Sequence, residues 1–145
     1  MKKVFLVCGI ISLIATSPRL LADIAVIANK DVADSAVTID YIANIYLAKV
    51  LQLPSGAAVQ PLSLGYDEQL RDNFFRLTTQ KEPSQLKAYW ARLVFTGMGK
   101  PPTLIDDEAD MLAAIIDNPV NIGFVQAESV TADVKVLLLI KTSEE

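Results

Sequence analysis

The 145-residue sequence has no histidine and a single cysteine, Cys8, and each shortage removes a class of chemistry. Without histidine there is no Ser-His-Asp arrangement and no imidazole base, and the commonest metal ligand is missing. Cys8 sits in an apolar run from 4 to 15 that follows Lys2 and Lys3 and leads to Ala22, a small residue directly before Asp23. Residues 1–22 therefore read as a secretory signal peptide, and Cys8 leaves with it. The run is short of the ~20 apolar residues that span a bilayer. Val7, directly before Cys8, is not the small residue a lipoprotein cut requires. The domain at 23–145 is then left without a disulfide, a thiol nucleophile or a thiolate metal site.

Positive charge is also scarce. Setting aside Lys2, Lys3 and Arg19 leaves 10 basic residues against 17 acidic ones, a net charge of about −7 for the domain. No run of Lys or Arg follows a phosphate backbone, which excludes nucleic acid as a partner. No repeat, linker or low-complexity stretch divides the chain. The expectation is one acidic domain in the periplasm, with no stable membrane insertion after signal cleavage, no cofactor and no metal.

What is present alternates strand and helix. Residues 24–28 form an apolar run suited to a buried strand. Thr38 is an N-cap for a helix presenting Ile39, Ile42, Ile45 and Tyr46 on one side. Ala48 is poor at positive φ, so this helix is expected to run on to Val50 before Pro54 and Gly56 end it. Residues 57–64 read as a second strand. Gly65 and Tyr66 turn into a helix with Asp67 and Glu68 in its first turn and Leu70, Phe74 and Leu77 at helical spacing.

Pro83 opens a further helix to Phe95, in which Leu86, Tyr89, Trp90, Leu93 and Val94 share a face expected to be core, with Trp90 buried in it. Gly97, Gly99, Pro101 and Pro102 then force a corner. The acids Asp106, Asp107, Glu108 and Asp110 invite a cation reading, but capping and first-turn placement account for them, ahead of a helix that buries Met111, Leu112, Ile115 and Ile116. Residues 122–125 and 134–140 supply two more strands. The pattern predicts an α/β three-layer sandwich with a mixed or mostly parallel sheet.

Three stretches carry a resemblance: YWARLVFTGMGKPP at 89–102, IANIYLAKV at 42–50 and NPVNIGFV at 118–125. Together they resemble the substrate-binding proteins of phosphate ABC transporters, and this sharpens the fold to one lobe of a type II periplasmic binding protein. In that family the corner before the helix at 68 carries an Arg, an Asp and a Ser-Gly-Thr run that hold the anion. Here Leu64, Tyr66, Glu68 and Leu70 stand at the Arg, Asp, Ser and Thr positions. Two carboxylates at the helix mouth repel an anion, so phosphate binding no better than millimolar is expected.

The resemblance implies a non-enzymatic solute-binding protein, with a small anionic solute and an ABC permease or another envelope protein as partners. Ser35, Tyr66, Asp67 and Arg71 are the ligand-binding candidates, placed near strand ends where open α/β sheets bind. Each also has a structural reading: Ser35 in a turn, Tyr66 packing at the corner, Asp67 as a cap, Arg71 as a solvated helix charge. The alternative function is a single-lobe interaction module docking on a sensor ectodomain or an export assembly, or pairing with itself. Catalysis ranks last, since no pair of carboxylates, Lys or Tyr stands at a useful spacing.

Overall fold

The computed structural model describes residues 22–142, so the signal-peptide reading falls outside the described residues except at Ala22. Five strands form one mixed sheet: β1 (Ile24–Asn29), β2 (Gln60–Leu64), β3 (Thr103–Ile105), β4 (Asn121–Gln126) and β5 (Val134–Ile140). Their spatial order is β3-β2-β4-β1-β5. β2 runs parallel to β3 and to β4, while β1 runs antiparallel to both β4 and β5. One strand is therefore reversed, and it lies next to the centre, with all six of its residues buried.

The helices are α1 (Ile39–Tyr46), α2 (Glu68–Thr79), α3 (Pro83–Phe95) and α4 (Glu108–Asp117). Adjacent residues of β4 show how they layer, because successive side chains on a strand point to opposite faces. Phe124 stacks on Phe74 of α2, centroids 3.9 Å apart, and meets Tyr46 of α1 edge-on at 5.9 Å. Gly123 faces the other way, where a Cβ would come within 2.3 Å of the Met111 sulfur of α4. The glycine lets α4 lie close on the sheet. The expected three-layer α/β sandwich is what forms. Among the described residues, no helix is long and apolar enough to cross a membrane.

Local signals account for the helix starts. The Thr38, Asp67 and Asp107 side chains each accept from a backbone N–H in the first turn of their helix. Glu82 and Gln85 form a reciprocal capping box ahead of α3, with Pro83 at its first position. Tyr46 is fully buried and donates from its hydroxyl to Leu62 O at 2.9 Å. Burial pushes its phenol well above the usual range, so it stays a neutral donor.

Four sequence expectations need correction. α1 stops at Tyr46 instead of running to Val50, because Ala48 adopts the left-handed conformation, φ +57°, with its N–H on Ile45 O. β2 starts at Gln60, the residues before it forming a turn closed by a Gln52–Ala58 bridge. The face of α3 is not core. None of its residues is buried: Leu86, Tyr89, Trp90 and Leu93 are half-buried, and Val94 is exposed. In α2 and α4, Leu77 and Ile116 lie at the solvent edge, with Leu112 half-buried. Periodicity places apolar residues on one side of a helix but does not say how much of that side is covered.

Ala48 provides a direct test of the first correction. A non-glycine residue in the left-handed region costs roughly 1–2 kcal/mol, partly offset by the greater chain entropy that glycine brings to the unfolded state. Ala48→Gly is therefore expected to stabilise the fold by about 1 kcal/mol in urea denaturation. A loss of stability would show that Ala48 does not hold this conformation in solution.

Candidate functional site

The carboxyl ends of the parallel strands β2 and β3 are where open α/β sheets bind ligands. Gly65 N–H donates to Ile105 O at 2.7 Å and Tyr66 N–H to Asp106 O at 3.3 Å, which holds the two strand exits together. The N-termini of α2 and α4 both open there, on a shallow recess lined by Tyr66, Asp67, Asp106, Asp107, Glu108 and Ser129. Two helix N-termini facing one recess form a positive electrostatic cradle, the arrangement that suits an anion.

The sequence fills that cradle with its own carboxylates. Asp67 Oδ1 accepts from Leu70 N–H at 2.9 Å, and Asp107 Oδ1 accepts from Asp110 N–H at 2.9 Å. Glu108 Oε2 accepts from Gln126 N–H at 3.3 Å, at the exit of β4. Among the described residues, no basic side chain lines the recess. Arg71, the cationic candidate, does not line it and is already engaged: Nη1 donates to Gly65 O at 3.1 Å, Nε lies 3.4 Å from Asp72 Oδ1, and Nη2 lies 3.9 Å from Glu68 Oε1. An incoming anion would meet like charge and find first-turn donors already engaged.

The structure brings three of the four candidates to this end of the sheet. Tyr66 is 79% exposed, its ring free of the packing role open to it in the sequence. Asp67 is the α2 cap, and Arg71 is a partly buried brace on the corner. Ser35 is elsewhere. It is exposed on the loop leaving β1, and because β1 is reversed that loop lies at the opposite end of the sheet, where Asn29 pairs with Val134 at the start of β5. The strand-end rule groups Ser35 with the others only if β1 runs parallel to β2.

A Clostridium perfringens chain with bound phosphate, assigned as a phosphate ABC transporter substrate-binding protein, superimposes with a TM-score of 0.64 at 17% identity. The match covers 81% of this chain and 46% of that one. An ABC-type phosphate transport receptor from Vibrio cholerae gives 0.63 at 15% identity, covering 81% and 47%. PstS from Borrelia burgdorferi gives 0.59 at 10%, covering 81% and 48%. The fold is that of phosphate-transport binding proteins. The chain spans about half the length of these phosphate-transport structures, which fits one lobe of the binding-protein fold. No protein-family model matches the chain, and no curated protein matches it in sequence.

Beside this end of the sheet the structure shows a feature that sequence reasoning missed. α3 stands over β2 and β3 with open space beneath it, and Trp90 borders two cavities there, of about 220 and 310 Å³. The only sequence hint is the Gly97 to Pro102 corner, and it marks where α3 ends without saying how closely α3 packs.

Proposed function

We propose that the protein is a non-enzymatic, periplasmic solute-binding-like protein built as a single lobe, in which the anion cradle is closed by the protein's own carboxylates. The observation that supports this reading is the pair of helix mouths capped by Asp67 and Asp107 in a recess that no basic side chain among the described residues lines. The fold argues for binding, and the acid-lined recess argues against an oxyanion as the solute. An envelope permease is the partner this reading implies.

Calorimetric titration with phosphate at low salt is the first test. The expected constant is no tighter than millimolar, about −4 kcal/mol. A micromolar constant would overturn the reading, because the only routes to it are displacement of the Asp67 and Asp107 caps or recruitment of Arg71 from Gly65 O. A thermal-shift screen extends the test, since a solute that binds only the folded state raises its apparent stability. A shift with an uncharged or cationic solute supports the binding role.

A second reading has its own observation. Val94, Phe95 and Met98 at the end of α3 are 56%, 92% and 78% exposed. Contiguous exposed apolar side chains mark contact surfaces more often than chance. They favour a docking module on an envelope protein, and a screen in which no solute shifts the melting curve would move the balance to that reading.

A further inference from the structure

We propose that the C-terminal end of α3 is a peripheral contact site for an anionic phospholipid surface, in which Lys49 and Arg92 hold a phosphate headgroup while Val94, Phe95 and Met98 enter the acyl boundary. This goes beyond both readings above. It requires neither a solute nor a protein partner, and it assigns to lipid the tip that the second reading gives to a protein.

Charge is laid out unevenly along the chain. Residues 41–66 carry Lys49, residues 83–105 carry Lys87, Arg92 and Lys100, and all 17 acidic residues lie outside these two stretches. The fold brings the stretches together. The Tyr89 hydroxyl donates to Leu47 O at 2.7 Å. A Cβ on Gly99 would lie 3.1 Å from Leu93 Cδ2 and 3.4 Å from Ala48 Cβ, so the corner after α3 packs on the exit of α1. Between them lies a recess of about 570 Å³ whose wall includes Lys49, Tyr89, Arg92, Leu93 and Met98 and, among the described residues, no acid. Arg71, Arg76 and Lys141 each lie against a carboxylate, whereas among the described residues Lys49, Arg92 and Lys100 make no ion pair. Arg92 instead stands over the Tyr89 ring, 5.9 Å from its centroid.

The apolar half of the site adjoins these cations. Phe95 follows Arg92 by three residues, which makes the two neighbours on the helix surface. Met98 borders the recess itself, and it shares the adjoining cavity with Lys100 and the exposed Leu51. Unpaired cations beside exposed aromatic and aliphatic side chains suit a membrane interface, where the apolar groups leave water and the cations stay level with the phosphates. Charge complementarity selects the occupant. The domain is net acidic, so an anionic surface repels it except where unpaired cations stand, and this turns the tip toward the lipid. The same tip on a second copy would set cation against cation across a two-fold axis.

The test uses the full-length chain with Phe95→Trp and Trp90→Phe together, so that its one tryptophan reports on the tip and not on residues 1–22. Vesicles of phosphatidylglycerol with brominated acyl chains are expected to quench its emission, and vesicles of brominated phosphatidylcholine are not. Salt at about 1 M, where the screening length falls to about 3 Å, is expected to reverse the quenching. Each cation near an anionic surface contributes roughly five-fold in affinity, so adding Lys49→Ser and Arg92→Ser is expected to weaken binding about 25-fold. No quenching at any lipid composition overturns the proposal and leaves the tip to a protein. Equal quenching by the neutral vesicles overturns it, as does quenching that survives loss of both cations. So does a wild-type protein that sediments as a dimer and becomes a monomer on Phe95→Ser, which would put a second copy on the tip.

Discussion

Phe74→Ala is expected to destabilise the protein by about 3–5 kcal/mol, the range for truncating a fully buried aromatic. Phe74 has no exposed surface and is the hub of the ring cluster. It stacks on Phe124 at 3.9 Å with 9° between the planes, and it meets Tyr46 and Phe75 edge-on at 4.7 and 5.4 Å. Those contacts join α1 and α2 to the centre of the sheet, so the cavity left by alanine has rigid walls and does not collapse. Stabilities of domains this size run to about 5–15 kcal/mol, so much of the total is at stake. Trp90→Ala, in contrast, is expected to cost only about 1–2 kcal/mol, because the indole is half-buried at the edge of a cleft and loses less surface. Urea denaturation followed by circular dichroism compares the two directly. If the tryptophan variant were the weaker protein, α3 would belong to the core and the cleft beneath it would not exist.

The second large effect is expected at Asn29, at the end of the reversed strand. Its Nδ2 donates to Ile115 O at 3.1 Å and Ile116 O at 2.9 Å, two of the carbonyls that α4 leaves without partners at its C-terminus. Its Oδ1 accepts from Asp31 N–H at 2.9 Å, shaping the turn out of β1. The residue is 7% exposed, so water does not replace these bonds readily. Asn29→Ala removes three bonds at about 1 kcal/mol each and strands buried carbonyls, for an expected loss of about 3 kcal/mol. Asn29→Asp separates bonding from volume. An ionised carboxylate has the same shape and no donor, so at neutral pH it is expected to fare no better than alanine. Near-native stability of the aspartate variant at neutral pH would show that the two α4 carbonyls do not depend on Asn29.

What was legible in the sequence was what neighbouring residues decide among themselves. Thr38 and Asp67 cap helices because a side-chain oxygen reaches an N–H three residues on, and no distant partner enters that bond; the cap that the sequence left between Asp106 and Asp107 falls to Asp107 in the same way. Residues 134–140 are apolar enough to be a strand in almost any context, and β5 has those bounds. The mixed sheet was within the expected class, yet the direction of β1 was not readable, because it depends on pairing with Val125 and Leu139, more than ninety residues away. That one unknown set Ser35 beside Arg71 in the sequence reading and places it at the far end of the sheet in the structure. β3 was missed because it is three residues long and two of them are exposed, which leaves no alternation to detect. The cleft under α3 was equally hidden, since its lining comes from four separated elements and its defining feature is space.

The pairing of β1 with β5 also governs how the protein is made. Ile24 lies opposite Ile140, so the strand beside the middle of the sheet takes one neighbour from almost the far end of the described chain. Closing so long a loop carries a large entropic cost before any contact rewards it, and folding slows as such non-local pairings dominate. A growing chain therefore cannot complete its sheet until residue 140 has emerged. Until then β1, apolar from Ile24 to Ala28, has an unsatisfied edge, and the nascent polypeptide depends on remaining extended or being shielded until β5 arrives.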